Sequence, residues 1–561
     1  MPPVFSREIT RPIISTTKLK FQARTSPCEA ACPAGNPIQK IHSLVKEGQY
    51  AEALQYLRAR NPFPGTTGRV CTHPCETDCN RGTYDEAISI RGLERSIADY
   101  ADMTRMKKPV RMARSGKKIG VIGGGPAGLT FAYFSSLLGH EVTIFEAGPI
   151  LGGMPRLNVP EYRLPKDMLD LEIGLVLETG VKARTNTKVG RDISFDEIRA
   201  SFDAVCIATG TWKERELDLS DADKAVKGVE FLRLVNLGIT RNVGKNVIIA
   251  GGGGVAFDCA FTARRLGAEE VHVVCLEEAD KMCAPPDDLV QAREEGITIH
   301  NSRMVSRVLQ QDGKGTGIEF FEVSSFFFDE AGNAHIKPAS GERKSLLGET
   351  VILAVGVQPE LEFIKNTGIA LNADGTIKLD AQTKSTSVAG IFAAGDVVVG
   401  PSIVATAVGQ GRETALAVHR YLTGKDTADE VLVIGDDGAI VAEPVGREGR
   451  PHVVAFEEMW NPEHYEKTPR KKTGASAGIS FQERDTGLDR SAATAEAARC
   501  FHCGHCDKCG KCVEDCPGLI LEMKEEGPEV IYPDECWHCG NCRISCPDSA
   551  ISYDFPLYTL V

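Results

Sequence analysis

The sequence predicts an α/β protein in which two parallel-sheet units lie between two cysteine-rich ends. Three observations predict it. A short apolar strand, a glycine cluster, a helix and a second strand follow one another from Lys118, and the same series recurs over 246–277. Fifteen of the 19 cysteines crowd into residues 28–79 and 500–546. The chain has 561 residues, too many for one core at roughly 150 residues per domain. A strand–glycine–helix–strand series is the opening of a Rossmann-like sheet, so two such units are expected.

The elements are expected in the following order. Residues 1–115 read as a helical N-terminal domain: in IQKIHSLVKEGQYAEALQYLRAR, Ile38, Ile41, Leu44 and Val45 recur at helical spacing. The first Rossmann-like unit is assigned to 116–225 and, after an insertion, to 350–425, where 350–356 and 390–420 read as returning strands and a closing helix. The inserted second unit takes 226–349. Residues 426–495 show no period and read as an irregular linker. Residues 496–561 are short, cysteine-dense and punctuated by proline, which suggests a small α+β module.

Composition narrows the function. A net charge of −13 disfavours nucleic acid, whose binding depends on Lys and Arg neutralising phosphates. No apolar run approaches the 18 residues of a membrane span, and the N-terminus lacks a signal-peptide apolar core, so a cytoplasmic protein is expected. In that compartment dense cysteine points to metal rather than disulfides.

Gly123, Gly125 and Gly128 spell G-x-G-x-x-G between strand and helix. The first allows a tight turn, the second lets backbone approach a pyrophosphate, and the third lets helix pack on strand. Glu146 ends the next strand, where a carboxylate accepts bonds from a ribose hydroxyl. Gly251, Gly253 and Ala256 give the G-x-G-x-x-A variant, with Gly254 adding room. Its following strand ends near Glu277. A 2′-phosphate there asks for Arg and a free hydroxyl for a carboxylate, so Glu277 and Glu278 favour NADH over NADPH. The alternative has Arg264, Arg265 or Lys281 serving a phosphate.

Cys506, Cys509, Cys512 and Cys516-Pro517 spell C-x2-C-x2-C-x3-C-P, and Cys536, Cys539, Cys542 and Cys546-Pro547 spell it again. This is the bacterial two-cluster ferredoxin pattern, in which the fourth cysteine of each run ligates the other cluster. One 4Fe-4S cluster is therefore assigned to Cys506, Cys509, Cys512 and Cys546, and a second to Cys536, Cys539, Cys542 and Cys516. Zinc, which also uses C-x2-C pairs, does not account for two full runs each ending in proline. The remaining Cys206, Cys259, Cys275 and Cys283 lack ligand spacing, and Cys275 and Cys283 are too far apart for a redox C-x2-C motif.

The two dinucleotide loops, with ATG at Ala208–Gly210, AVG at Ala354–Gly356 and GIFAAGD ending in Gly395-Asp396, resemble the two-dinucleotide-binding-domain flavoproteins. The resemblance implies FAD in the first unit, with Asp396 bonded to its ribityl chain, and a nicotinamide cofactor in the second. Cys28 and Cys32 in SPCEAACPAGNPI, Cys71, Cys75 and Cys79 in GRVCTHPCETDC, and NPFPGTTGRVC resemble the glutamate synthase small subunit and its relatives over residues 25 to about 425. The relatives include dihydropyrimidine dehydrogenase and NADH-dependent ferredoxin:NADP oxidoreductase.

That resemblance implies one N-terminal 4Fe-4S cluster on Cys32, Cys71, Cys75 and a carboxylate or amide ligand at Glu94. It implies another on Cys28, Cys79 and a leading C-x2-C pair. No such pair precedes Cys28, but Cys500 and Cys503 in RCFHCG belong to neither ferredoxin run. If they fold back to Cys28 and Cys79, the ligands close into four clusters. The alternative leaves those four cysteines without metal, and three clusters.

The expected activity is oxidation of NADH by FAD, a flavin that takes a hydride and releases electrons singly through the clusters. No side-chain acid or base is required, and none is assigned. Expected partners are a 2-oxoacid oxidoreductase, a tungsten or molybdenum dehydrogenase, another reductase, or ferredoxin. The rival readings are an NADPH-dependent glutamate synthase small subunit and a non-catalytic electron-transfer scaffold.

Overall fold

Strand Lys118–Ile122 is the middle of a five-stranded parallel sheet in the order Ile391–Ala393, Ala204–Ile207, Lys118–Ile122, Glu141–Phe145, Lys182–Arg184. Parallel sheets are covered on both faces, which is why the central strands are nearly continuous apolar runs; Ile119, Val121, Val205, Cys206 and Ile207 are all buried. Helix Pro126–Leu137 joins the first two strands and packs on helix Val404–Thr423. Gly411 permits that approach, since a Cβ there would stand 2.5 Å from the Ala127 carbonyl oxygen. The computed structural model describes residues 24–103, 108–215, 219–328, 334–424, 430–434, 440–444, 452–459, 466–475, 478–504, 506, 508–524, 527–532, 535–536, 539–546 and 550–551.

A second parallel sheet has the order Thr298–His300, Glu270–Val274, Asn246–Ala250, Thr350–Leu353, Val226–Lys227. Here the expected boundary at 350 needs correcting. Thr350–Leu353 pairs with Val247–Ala250, so this strand belongs to the inserted unit. A four-residue apolar run fits the centre of either parallel sheet, and periodicity does not say which. An antiparallel meander, Arg303–Gln311, Lys314–Phe328 and Ala334–Leu347, covers one face of this sheet with Val305, Val308, Ile318 and Phe320.

The N-terminal region is helical, with Ile38–Lys46, Tyr50–Arg58, Pro64–Val70 and Ile90–Tyr100 as its main helices. Ile38, Ile41, Leu44 and Val45 all point into its core, as their spacing requires.

The stretch read as an irregular linker has a definite course over 466–475 and 478–504. Asp489 caps helix Arg490–Ala497 by accepting from the Ala492 N–H. Ala493 and Ala497 of that helix are buried in the N-terminal core. Upstream, Glu483 pairs with Arg69 at 2.7 Å and Arg95 at 3.0 Å, and Arg470 pairs with Glu76 at 2.6 Å. Arg484 reaches Glu294 of the inserted unit at 2.5 Å. The segment is a strap from the second sheet to the helical domain, and it delivers residues 500–504 there. Such ion pairs and backbone bonds have no sequence period, which is why the strap was not legible. Parts of 426–495 lie outside the described residues.

Among its described residues the C-terminal module has two short helices, Lys511–Glu514 and Asn541–Ser545, and the hairpin Leu521–Lys524 with Gly527–Val530. Cysteines make up half of its small buried core, with Cys512, Cys516 and Cys546 beside Ile520, Leu521 and Ile551. Among the described residues, no helix is long and apolar enough to cross a membrane.

Candidate functional site

The first glycine loop is built by contacts that exclude side chains. Gly123 has φ +108°, and a Cβ there would strike the Ala208 carbonyl; a Cβ on Gly128 would land on the Gly123 carbonyl. Gly125 caps helix Pro126–Leu137, whose N-terminal dipole faces a cavity of about 510 Å³. Glu146 stands at the end of strand Glu141–Phe145 and accepts from the Gly124 and Gly148 N–H groups, each at 2.7 Å. Its carboxylate is thereby fixed on the cavity wall.

Farther along the same cavity is Asp396. Its two carboxylate oxygens accept from Ser402 Oγ at 2.6 Å and Thr211 Oγ1 at 3.3 Å, and burial raises its pKa. The preceding Gly395 N–H donates to Gln410 Oε1 at 2.7 Å. A glycine cradle at a helix N-terminus, with a fixed carboxylate beside it and another along the cavity, fits an elongated dinucleotide such as FAD.

Sequence reasoning missed the wall opposite this loop. Lys166 Nζ donates to the carbonyls of Pro155 at 3.0 Å and Val159 at 2.5 Å. Asn236 of helix Gly228–Asn236 donates to Leu157 O at 2.8 Å, and Asn158 donates back to Val229 O at 2.7 Å. Pro155, Leu157, Asn158 and Val229 all line the cavity. The inserted unit is thus bonded directly to the cavity wall.

The second loop has the same construction. Gly251, at φ +141°, leaves no room for a Cβ against the Ala354 carbonyl, while Gly253 and Gly254 face open space. Ala256 is fully buried where helix Gly254–Arg265 packs on its strand. Glu277 brings its carboxylate against Gly252. Of the basic alternatives, Arg264 donates to the Ala268 and Glu269 carbonyls at 2.6 and 2.7 Å. Arg265 is buried against Glu295 at 2.7 Å, and Lys281 pairs with Glu278 at 3.0 Å. Both arginines cap the far end of their helix, away from the glycine loop.

Fifteen of the 19 cysteines lie in groups, one of them with Glu94. Burial pushes up the Cys75 thiol, followed by Cys32, Glu76, Cys71 and Glu94. Glu94 is buried, accepts from Thr67 Oγ1 and from Asn61 Nδ2 at 3.2 Å, and is raised by burial to about 7. Burial likewise raises the Cys28 thiol, and Cys79, Cys500 and Cys503 raise it further. The strap makes that grouping: Asn80 Nδ2 donates to Cys503 Sγ at 3.4 Å, and Arg81 donates to Arg499 O at 3.0 Å.

In the C-terminal module Cys512 is pushed up to about 12 by burial, then by Cys546, Cys506 and Cys509. Cys542 is raised by burial and by Cys516, Cys536 and Cys539. Cys516 and Cys546 have therefore crossed between the two runs. Among the described residues no three His, Cys, Asp or Glu side chains close on a single metal ion. Cys206, Cys259 and Cys275 are buried and Cys283 is exposed, apart from every quartet.

Residues 117–411 match the pyridine nucleotide-disulphide oxidoreductase family model. Residues 14–106 match dihydropyrimidine dehydrogenase domain II, 4Fe-4S cluster, and 505–551 match a 4Fe-4S dicluster domain. The NADP(+)-dependent formate dehydrogenase subunit beta of Moorella thermoacetica is 35% identical over 85% of this chain and 70% of its own length. The NADPH-Fe(3+) oxidoreductase subunit beta of Geobacter sulfurreducens is 32% identical over 85% of this chain and 75% of its own. The glutamate synthase (NADPH) small chain of Bacillus subtilis is 30% identical over 70% of this chain and 86% of its own. The chain belongs to the pyridine nucleotide-disulphide oxidoreductase family, as an FAD- and NAD(P)-dependent iron–sulfur oxidoreductase related to the glutamate synthase small chains.

Proposed function

We propose that this chain is the nicotinamide-oxidising subunit of a redox complex, using NADH and passing electrons through four 4Fe-4S clusters to a partner. The observation that carries the reading is the quartet of Cys28, Cys79, Cys500 and Cys503, which joins the N-terminal cluster domain to the C-terminal module. FAD, when bound, accepts a hydride as an electron pair and gives the electrons up singly. The chain's own part is placement. Glycines 123, 125 and 128 and Glu146 hold the FAD diphosphate and ribose, Asp396 holds its ribityl chain, and Gly251, Gly253 and Gly254 receive the nicotinamide cofactor's pyrophosphate. The bonds between Asn158, Asn236 and the cavity wall fix the inserted unit against the flavin cavity.

NADH is favoured because Glu277 presents a carboxylate at the loop where a 2′-phosphate would be repelled, and Arg264 and Arg265 are engaged elsewhere. The similar proteins named as subunits support a partner subunit as acceptor; a 2-oxoacid oxidoreductase, a tungsten or molybdenum dehydrogenase, another reductase and ferredoxin all suit a cluster-bearing module.

Anaerobic titration with NADH and then NADPH, following flavin and cluster absorbance, tests the proposal. Bleaching by NADH is the expected result. Bleaching by NADPH alone would favour the second reading, an NADPH-dependent small chain of the glutamate synthase type, to which the names of the similar proteins lend weight. Bleaching by neither would leave an electron-transfer scaffold.

A further inference from the structure

Helix Val404–Thr423 is a wall shared by the flavin cavity and the loop that follows Cys32. Val404 and Ala407 line the cavity. Farther along, a Cβ on Gly409 would stand 1.9 Å from the Pro33 carbonyl oxygen, so helix and loop meet backbone to backbone. Ala34, Phe63 and Cys71 share one core with Ala405, Ala407 and Val408 of the helix. Arg412 closes this contact. Its Nη1 donates to the Ala34 carbonyl at 2.7 Å and to the Arg60 carbonyl at 3.3 Å. Its Nη2 lies 2.8 Å from where a Gly35 Cβ would stand. Gly35, at φ +65°, turns the chain and donates its N–H to the Cys32 carbonyl at 2.9 Å.

The turn also directs backbone N–H groups at the Cys32 sulfur. Burial raises that thiol and Glu94 raises it further, while the N–H groups of Asn36, Ala34 and Gly35 oppose them. Successive N–H groups around a left-handed residue form a nest for negative charge. The peptide between Ala34 and Gly35 takes part at both ends: its carbonyl accepts from Arg412, and its N–H faces Cys32. Arg412 is thus joined to Cys32 through bonds as well as through charge. Burial and then Arg60 bring the Arg412 pKa down to about 10, with Glu413 and Cys32 acting the other way, so the guanidinium is cationic at neutral pH. Reduction of a 4Fe-4S cluster adds one negative charge and makes or breaks no bond. A fixed cation and N–H groups on a sulfur therefore favour the reduced state.

We infer that Arg412 raises the reduction potential of the cluster on Cys32, Cys71, Cys75 and Glu94, by fixing the Ala34–Gly35 peptide whose N–H faces the Cys32 sulfur and by its own charge. The inference rests on the proposed reading of these four residues as ligands. Arg412 is a positioning residue: it acts through the Cys32 loop and sets how readily this cluster takes an electron from the flavin side of the helix.

The test is a redox titration of the anaerobically purified holoprotein, followed by electron paramagnetic resonance, on wild type, Arg412→Met, Arg412→Gln and Arg412→Lys. Cys71→Ser identifies the signal of this cluster as the one it alters or removes. In Arg412→Met the midpoint of that signal moves to lower potential while the other midpoints stay in place. Arg412→Gln, neutral but able to donate to Ala34, moves it less in the same direction, and Arg412→Lys returns it toward wild type. Full iron in Arg412→Met with that midpoint at its wild-type value overturns the inference. If Arg412→Met loses iron, Arg412→Gln decides, and an unmoved midpoint there also overturns it. Loss of this cluster in both variants, with FAD retained, would make Arg412 a clamp on the loop alone and overturn its effect on potential. Unchanged iron and cluster signals in Cys71→Ser would put the failure in the ligand reading itself.

Discussion

Replacing Cys503 with Ser removes one sulfur ligand at almost no cost in volume, so its effect separates a cluster from a packed thiol. Cys503 is 8% exposed, and its sulfur accepts from Asn80 Nδ2 at 3.4 Å, a bond that a serine hydroxyl can also accept. If the thiol is only packing, the variant resembles wild type in every metal measurement. If it ligates, one of four cubanes becomes labile and about a quarter of the iron is lost, from about 16 to about 12 atoms per flavin. FAD content and bleaching by NADH stay intact, because the flavin cavity uses none of these four cysteines. Delivery of electrons to an acceptor at the C-terminal module falls sharply. The assay is anaerobic iron and flavin analysis with low-temperature electron paramagnetic resonance, and Cys206→Ser, in the first parallel sheet, is the control. Unchanged iron with all cluster signals retained in Cys503→Ser would refute the reasoning.

Three further outcomes follow from the same geometry. Glu277→Arg replaces a carboxylate with a cation at the second glycine loop, so the ratio of kcat/KM for NADH over NADPH should fall at least about tenfold, or about 1.4 kcal/mol, in steady-state assays with an artificial acceptor. Gly128→Val places a side chain on the Gly123 carbonyl, and the purified protein should lose most of its FAD while keeping its iron. Glu172 is fully buried, accepts from the Gly65 N–H at 2.5 Å and Thr66 Oγ1 at 2.6 Å, and burial raises it from 4.5 to about 7. The folded state therefore binds this proton more tightly than the unfolded one. The stability from Glu172 is complete below about pH 4.5 and is lost as pH rises through 7, amounting to about 3 kcal/mol. Glu172→Gln should flatten that slope in denaturant midpoints compared at pH 6 and pH 8.5.

What was legible from sequence was what depends on short spacing. The glycine loops announce themselves because turn, close approach and helix packing each need a glycine at a fixed offset. The two ferredoxin runs do so because one short loop carries three cysteines at fixed offsets, and the pattern expects Cys516 and Cys546 to cross between the runs. The count of ligands pointed Cys500 and Cys503 toward Cys28 and Cys79, although nothing in the local sequence says how they arrive. That route is the strap, held by Arg69, Arg95 and Arg470 on acidic partners hundreds of residues away, and such pairs leave no period. Glu172 was missed for a related reason. A single carboxylate on a helix is ordinary until Gly65 and Thr66 are seen to point their N–H groups at it. The misassigned strand Thr350–Leu353 is the converse case, a clear local signal whose partner is decided only by the tertiary fold.

The quartet that joins Cys28 and Cys79 to Cys500 and Cys503 also has a mechanical meaning. Between Cys79 and Cys500 lie roughly 420 residues, so a cluster there would act as a clasp around almost the whole catalytic body. By the chain-entropy argument used for disulfides, closing a loop of that length removes about 6 kcal/mol of freedom from the unfolded chain. Unlike a disulfide, this clasp would be opened by oxidants that destroy the cluster. Loss of the cluster would remove that closure and leave the strap to its ion pairs and to helix Arg490–Ala497, buried in the N-terminal core.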